Sequence, residues 1–365
     1  MKILFVHPSV ELYGADKILL YILKMLCKKH DLTVLLPKDG SLIEHIRSIS
    51  PEIKVKIFKD LPIVHSKLKL ADYIKLPFKI LKTHSFLKNE KFEYCFCNTL
   101  SAILLLFAGF SKNRVLYVHE IISSKFLNLG FSILAKIGAK KIVCVSNHVK
   151  ENLLFSKKYF VVHNGIPDIS DRFLKNEILS DGKIRFVLPG RYMPQKGQWF
   201  LVDTLSKLSY EYKNKIQVDL YGSVPPFKPE LLNELKRKIK SFGLEKLVFL
   251  HNFTQNISDI YKNSNVVLVP SLMADPFPTT VLEALMFSRP VIATNHGGSS
   301  EILDNSFSKM IAPKDTDSFC DAIKFFVDNK NLIEKYSRNA REKFSSYLTF
   351  ERYQERFFQV FGRLK

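Results

Sequence analysis

Two carboxylates, Asp275 and Glu283, stand eight positions apart in Ser271-Leu-Met-Ala-Asp-Pro-Phe-Pro-Thr-Thr-Val-Leu-Glu-Ala-Leu-Met286. Asp275 falls in a Pro-rich loop, and Glu283 in an apolar run that reads as the first turns of a helix. An ionised carboxylate accepts hydrogen bonds and offers none. With no cation in this stretch, the pair suits a hydroxyl-rich ligand. Upstream, Arg191-Tyr-Met-Pro-Gln-Lys196-Gly197 sets two cations at the mouth of a helix. Helix amides attract anions, and Arg and Lys add charge-assisted hydrogen bonds, so this element suits phosphate. A third group, His119, sits in Val118-His-Glu120.

These residues need elements to hold them. Residues 265–270 and 290–294 read as buried strands on either side of the carboxylate loop and its helix. Strand, loop, helix, strand is a parallel crossover unit, whose ligand crevice lies at the carboxyl end of the first strand. Residues 185–190 form a like strand before Arg191, and a helical pattern runs from near Gly197 to Leu208. Residues 2–8 form the first strand, residues 9–13 a loop, and Gly14 opens a helix with Ile18, Leu19, Ile22, Leu23 and Leu26 on one face. A glycine at such a turn lets backbone approach a ligand closely. Residues 115–120 form a strand whose end delivers His119 and Glu120. Further strands are expected at 139–146, 217–221 and 247–250. Strands and helices alternate in both halves, so the chain reads as two Rossmann-like parallel-sheet α/β domains. Residues 165–184, with Asp168, Ser170, Asp171, Asp181 and Gly182, interrupt the apolar periodicity and form the linker. An aromatic helix closes the chain at 347–361.

The motifs resemble those of retaining nucleotide-sugar glycosyltransferases of sequence family 4. Asp275 to Glu283 is similar to that family's Glu-x7-Glu signature, and Gly190-Arg191 to Lys196-Gly197 to its Gly-Arg-x4-Lys-Gly element. Tyr13-Gly14-Ala15-Asp16 resembles a Gly-Gly-Ala-Glu-like turn. Val118-His119-Glu120, Val145-Ser146 and Asn164-Gly165-Ile166 resemble further family elements. Asn164-Gly165 is also a turn signal in its own right. The resemblance implies a GT-B fold, with the active-site cleft between the domains. It implies an acceptor-side domain at 1–167, a nucleotide-sugar donor domain at 168–346, and a helix at 347–365 that packs back on the first domain. His7 and His163 match less well and read as structural.

The resemblance also implies roles. A sugar passes from a nucleoside-diphosphate sugar to an acceptor hydroxyl, with retention of anomeric configuration. Arg191, Lys196 and the helix starts near Gly197 and Thr280 stabilise charge growing on the departing diphosphate. Asp275 holds sugar hydroxyls, Glu283 holds the ribose, Gly14 gives close backbone approach, and His119 sits beside the reacting sugar. No residue stands out as a covalent nucleophile, so front-face attack assisted by the departing phosphate is expected. The base contacts the loops at Gly222 and Phe253. The chain departs from the family pattern in four places. Asp275 replaces Glu, Tyr13 and Asn252 replace glycines, and Phe277-Pro278 replaces Phe-Gly. Pro278 removes a backbone N–H, for which the hydroxyls of Thr279 and Thr280 compensate. No cofactor or metal is expected: Asp315-Thr-Asp317 precedes a helical run and reads as a cap. A catalytically inactive sugar-nucleotide-binding subunit is the alternative. A nucleic-acid-binding protein would need clustered cations with stacking aromatics, which the sequence lacks.

Composition bounds the setting. A net charge of +20 calls for an anionic partner. Residues 52–91 hold ten lysines against four acids, interleaved with Leu68, Leu70, Ile74, Leu76, Phe78, Ile80 and Leu81. Residues 67–88 are therefore expected to lie on an anionic membrane surface. Cys27, Cys95, Cys97, Cys144 and Cys320 are an odd set in apolar segments and read as free thiols of a reducing compartment. The start of the chain lacks a secretory pattern, and residues 102–110, the longest apolar run, are about half of a membrane span. A cytoplasmic protein, peripheral on the inner face of the membrane, is expected. The Lys- and Phe-rich, Gly-poor composition suggests a bacterial gene, and similar enzymes build O-antigen, capsule or lipid-linked glycan.

Overall fold

The computed structural model describes residues 1–12, 14–64, 70–154, 159–170, 174–177, 181–225 and 227–365. Tyr13, Asp171 and residues 67–69 lie outside the described residues. The chain divides into two compact units, Met1–Asn164 with Tyr353–Lys365, and Gly165–Arg352.

The first unit is built on seven parallel strands: β1 (Lys2–Val6), β2 (Asp31–Leu36), β3 (Lys54–Ile57), β4 (Tyr94–Asn98), β5 (Asn113–Val118), β6 (Lys141–Cys144) and β7 (Tyr159–Val161). Their order across the sheet is β3-β2-β1-β4-β5-β6-β7. Ile3, Leu4, Phe5 and Val6 are all buried, as expected for a strand covered on both faces. The helix Gly14–Leu26 buries Ile18, Leu19, Ile22, Leu23 and Leu26, the one-face stripe that its sequence shows. Between β1 and β4 the winding reverses, and this switch point is where such sheets leave room for a ligand.

The C-terminal helix Phe350–Val360 supplies Tyr353 and Phe357 to the first unit. The Tyr353 hydroxyl lies 3.1 Å from that of Tyr117, and Phe361 packs on Phe96 with ring centroids 5.3 Å apart. All five cysteines are free, and all but Cys27 are buried. Burial pushes the Cys97 thiol well above its ordinary pKa.

The second unit has six parallel strands: β8 (Ile184–Pro189), β9 (Ile216–Tyr221), β10 (Val248–His251), β11 (Val266–Val269), β12 (Val291–Thr294) and β13 (Ser308–Ile311). The order is β10-β9-β8-β11-β12-β13, with its switch point between β8 and β11. The loops carrying Arg191 and Asp275 follow these two neighbouring strands. Strand β13 is absent from the expected set because Ser308-Lys-Met-Ile311 has neither an apolar run nor a clean alternation.

Candidate functional site

In the second unit the loop after β8 is pinned from two sides. Gly197 has φ 87°, and a Cβ there would lie 2.0 Å from the Pro270 carbonyl oxygen in the loop after β11. The Leu272 backbone N–H also donates to the Gln195 carbonyl at 2.8 Å. On the other side, a Cβ on Gly222 would lie 2.1 Å from the Gly190 carbonyl oxygen. Gly222 thus serves the approach of two loops to one another. Between them the buried Tyr192 sets its hydroxyl 2.7 Å from the Leu220 carbonyl and 2.6 Å from that of His251. Tyr192 fixes the strand ends beside Arg191, a role that no sequence spacing announces.

The two cross-loop contacts bring charges together. Lys196 Nζ lies 2.8 Å from Asp275 Oδ2. The expectation that no cation neighbours this carboxylate is therefore corrected: the cation comes from a loop 79 residues away in sequence. The Gly298 N–H donates to the Asp275 carbonyl at 2.8 Å, and a Cβ on Gly297 or Gly298 would lie 2.4 or 2.2 Å from the carbonyl oxygens of Asp275 or Pro276. Gly297-Gly298 was the available signal for this support, since paired glycines after a strand mark close backbone approach. Neighbouring His296 keeps both ring nitrogens buried and without a protein partner.

Glu283 lies in the helix Thr279–Met286 and accepts a hydrogen bond from the Tyr261 hydroxyl at 2.8 Å. Burial, then the charge of Glu283, pushes the Tyr261 hydroxyl well above its ordinary pKa, so it stays a donor. The ring stacks on Phe287 at 5.3 Å. Behind it, buried Arg289 donates through Nε to the Tyr261 carbonyl at 2.7 Å. Its other nitrogens also reach backbone carbonyls, and burial lowers its pKa to about 10. Of the other expected contacts, Phe277 is buried, whereas Phe253 is 66% exposed. Pro278 precedes the first helical turn, which leaves the amides of Thr279 and Thr280 at the helix start. Asp315 accepts from the backbone N–H groups of Asp317 and Ser318, both at 3.0 Å, and so caps the helix Thr316–Asp328.

The first unit gathers a separate polar chain at the carboxyl ends of β1, β4 and β5. His7 Nε2 lies 2.5 Å from Asp16 Oδ1, and His7 Nδ1 lies 2.9 Å from Asn98 Nδ2. Asn98 Oδ1 then lies 3.0 Å from His119 Nε2. The amide nitrogen of Asn98 donates only and its oxygen accepts only. The protons are thereby ordered: His7 donates to Asp16, Asn98 donates to His7, and His119 donates through Nε2 to Asn98. His119 is left with an unprotonated Nδ1. Burial, with a smaller contribution from His7, lowers the His119 pKa to about 3, so the ring is neutral. His7, expected to be structural, is thus joined to His119 through Asn98. Glu120 turns to the backbone instead. Its Oε2 accepts from the N–H groups of His119 at 3.0 Å and Leu100 at 3.2 Å. A Cβ on Gly14 would meet nothing within 4 Å, so the helix start there is open.

Residues 170–343 match the family model of glycosyl transferases group 1. Among curated proteins, the chain is similar to the uncharacterized glycosyltransferase MJ1178 of Methanocaldococcus jannaschii. The two are 25% identical over 222 residues, or 60% of this chain and 58% of that protein. It is also similar to the capsular polysaccharide biosynthesis glycosyltransferase CapH of Staphylococcus aureus, 27% identical over 249 residues, or 63% of this chain and 66% of that one. The match thus spans less than two thirds of either relative's length. The crystal structure of Anabaena HepE in complex with UDP aligns over 100% of both chains with a TM-score of 0.84 and 20% identity. The same protein in complex with UDP-glucose aligns with a TM-score of 0.82. Residues 170–343 thus resemble the group 1 glycosyltransferases, and the chain has the GT-B fold.

Proposed function

We propose that the chain transfers a sugar from a nucleoside-diphosphate sugar to an acceptor hydroxyl, retaining the anomeric configuration and using no metal. The observation that carries this reading is the meeting of Lys196 with Asp275 at the switch point of the second sheet, on the loop that also holds Arg191. Arg191 and Lys196 neutralise the leaving diphosphate, together with the amides at the start of the helix Thr279–Met286. Asp275 orients sugar hydroxyls while its charge keeps Lys196 in place. Glu283, held by Tyr261, receives the ribose. Gly14 admits the donor at the start of its helix, and neutral His119 offers Nδ1 as an acceptor beside the reacting sugar. HepE has been crystallised with UDP-glucose, which makes uridine-diphosphate sugars the first donors to test. Likeness to CapH favours a surface polysaccharide as the product.

An anionic membrane surface is the proposed setting. No described helix is long and apolar enough to cross a membrane. The helix Leu70–Phe86 exposes Ile74, Phe78 and Leu81, at 68, 66 and 66%, beside Lys75, Lys79 and Lys82. The helix Lys125–Gly138 is inverted: it buries Asn128 and Ser132 and exposes Phe126, Leu129, Ile133 and Ile137. Both pack on the 3₁₀ segment Leu100–Phe107. An apolar stripe flanked by lysines suits an anionic bilayer.

The test of transfer is incubation with uridine-diphosphate sugars and a glycan acceptor, with the product's anomeric proton read by NMR. A product with the donor's configuration supports the reading. A product of opposite configuration overturns retention, and binding of donor without turnover on any acceptor points to an inactive subunit.

A further inference from the structure

A cavity of about 270 Å³ opens in the first unit, lined by Tyr94, Arg114 and Lys141 at the amino ends of β4, β5 and β6. Lys140 and the C-terminal residues Val360 and Arg363 complete its wall. The strands are parallel, so this end of the sheet is the one away from His119. Arg114 precedes His119 by five residues on and just past β5, about 16 Å along an extended strand. The cavity is therefore distinct from the polar chain at the carboxyl ends.

Its charges are all of one sign. Arg114, Lys140, Lys141 and Arg363 converge here, and among the described residues none of them has a carboxylate partner. Glu93, next to Tyr94 in sequence, turns its Oε1 to the Lys2 backbone N–H at 3.3 Å instead. The cations spend few of their donors on protein. Lys141 Nζ donates to the Val360 carbonyl at 2.5 Å, and Lys140 Nζ to Asn113 Oδ1 at 3.1 Å. Arg114 uses Nη1 on the Leu106 carbonyl at 3.2 Å, while its Nε is buried without a partner. Burial draws the Lys141 pKa down, and the like charges of Lys140 and Arg363 add to it.

Four cations around a recess of this size need a compact anion of more than one charge. A tetrahedral phosphate presents acceptors in several directions at once and matches the planar fork of an arginine. We propose that this cavity binds a small phosphate-bearing anion, phosphate or pyrophosphate, which joins the sheet edge at Arg114, Lys140 and Lys141 to the C-terminal segment at Arg363. Lys141 already holds Val360 and lies 5.1 Å from the Phe361 ring centroid. The bound anion thereby fixes the C-terminal segment on the sheet.

The test is calorimetric titration of the full chain with pyrophosphate at constant ionic strength set by chloride. Two double variants separate this cavity from the diphosphate clasp: Lys140→Gln with Arg363→Gln, and Arg191→Met with Lys196→Met. The expected result is saturable binding in the wild type and in the clasp variant, and at least tenfold weaker binding when the cavity substitutions are added to the clasp variant. Thermal melts in the absence of anion should match between wild type and cavity variant, which excludes misfolding as the cause. A lipid headgroup as the source is separated by vesicles containing phosphatidylglycerol, whose binding the cavity variant should leave unchanged. No saturable binding in the wild type, loss confined to the clasp variant, or loss of vesicle binding alone would each overturn the proposal.

Discussion

Lys196 and Asp275 form an ion pair 2.8 Å long between the loops that follow β8 and β11. Both side chains keep solvent access, at 44 and 21%. A pair this exposed adds at most about 1 kcal/mol to stability. Asp275→Asn should therefore leave thermal stability nearly unchanged while lowering the transfer rate by about 10²-fold, the order seen when one preorganised electrostatic contact is lost. Parallel melting and rate measurements check this, and a large loss of stability with normal turnover would mark the pair as structural.

Tyr261 gives the second prediction. Its hydroxyl is the buried donor to Glu283. Tyr261→Phe leaves that carboxylate short of a partner, at a cost of about 1–3 kcal/mol. Donor affinity should fall by about tenfold, equivalent to ~1.4 kcal/mol, with the maximal rate less affected. Steady-state kinetics separate the two, and an unchanged KM would remove Glu283 from donor binding.

Gly197 is a third point of dependence. Its φ of 87°, and the Pro270 carbonyl oxygen 2.0 Å from where a Cβ would stand, leave no room for alanine. The backbone conformation alone costs an L-residue about 1–2 kcal/mol, and the clash adds to it. Gly197→Ala should lower the melting temperature and weaken donor binding together, because the loops of Lys196 and Asp275 are forced apart. Unaltered melting would contradict the close approach of these two loops.

His119 carries a pH prediction. With a folded pKa of about 3 against about 6.5 in an unfolded chain, the unfolded state binds the extra proton between these values. The contribution of His119 to stability is then present in full above about pH 6.5 and is lost as pH falls toward 3. In NMR titration the ring should stay neutral, protonated at Nε2, from pH 8 to 5. A midpoint near 6.5, or a proton on Nδ1, would break the proton order Asp16–His7–Asn98–His119.

Much of the candidate site was legible because each of its loops follows a short apolar strand and opens a helix. Arg191, Lys196, Asp275 and Glu283 declare themselves by type and spacing within such loops. Their supports do not. Tyr261 reaches Glu283 from another helix, and Asn98 links His7 to His119 from 91 and 21 positions away. Tyr192 and Arg289 look like ordinary loop residues until packing shows their carbonyl partners. The weakly apolar strands β3 and β13 were hidden for a simpler reason: Lys54-Val-Lys-Ile57 and Ser308-Lys-Met-Ile311 lie at sheet edges and carry little of the hydrophobic signal.

The most direct measurement is the thermal stabilisation of wild type and Arg191→Ala by a panel of nucleoside-diphosphate sugars. At least one donor, with uridine-diphosphate sugars foremost, should raise the melting temperature of the wild type and not of the variant. Equal stabilisation of both proteins, or none by any donor, would contradict a diphosphate clasp at Arg191 and Lys196.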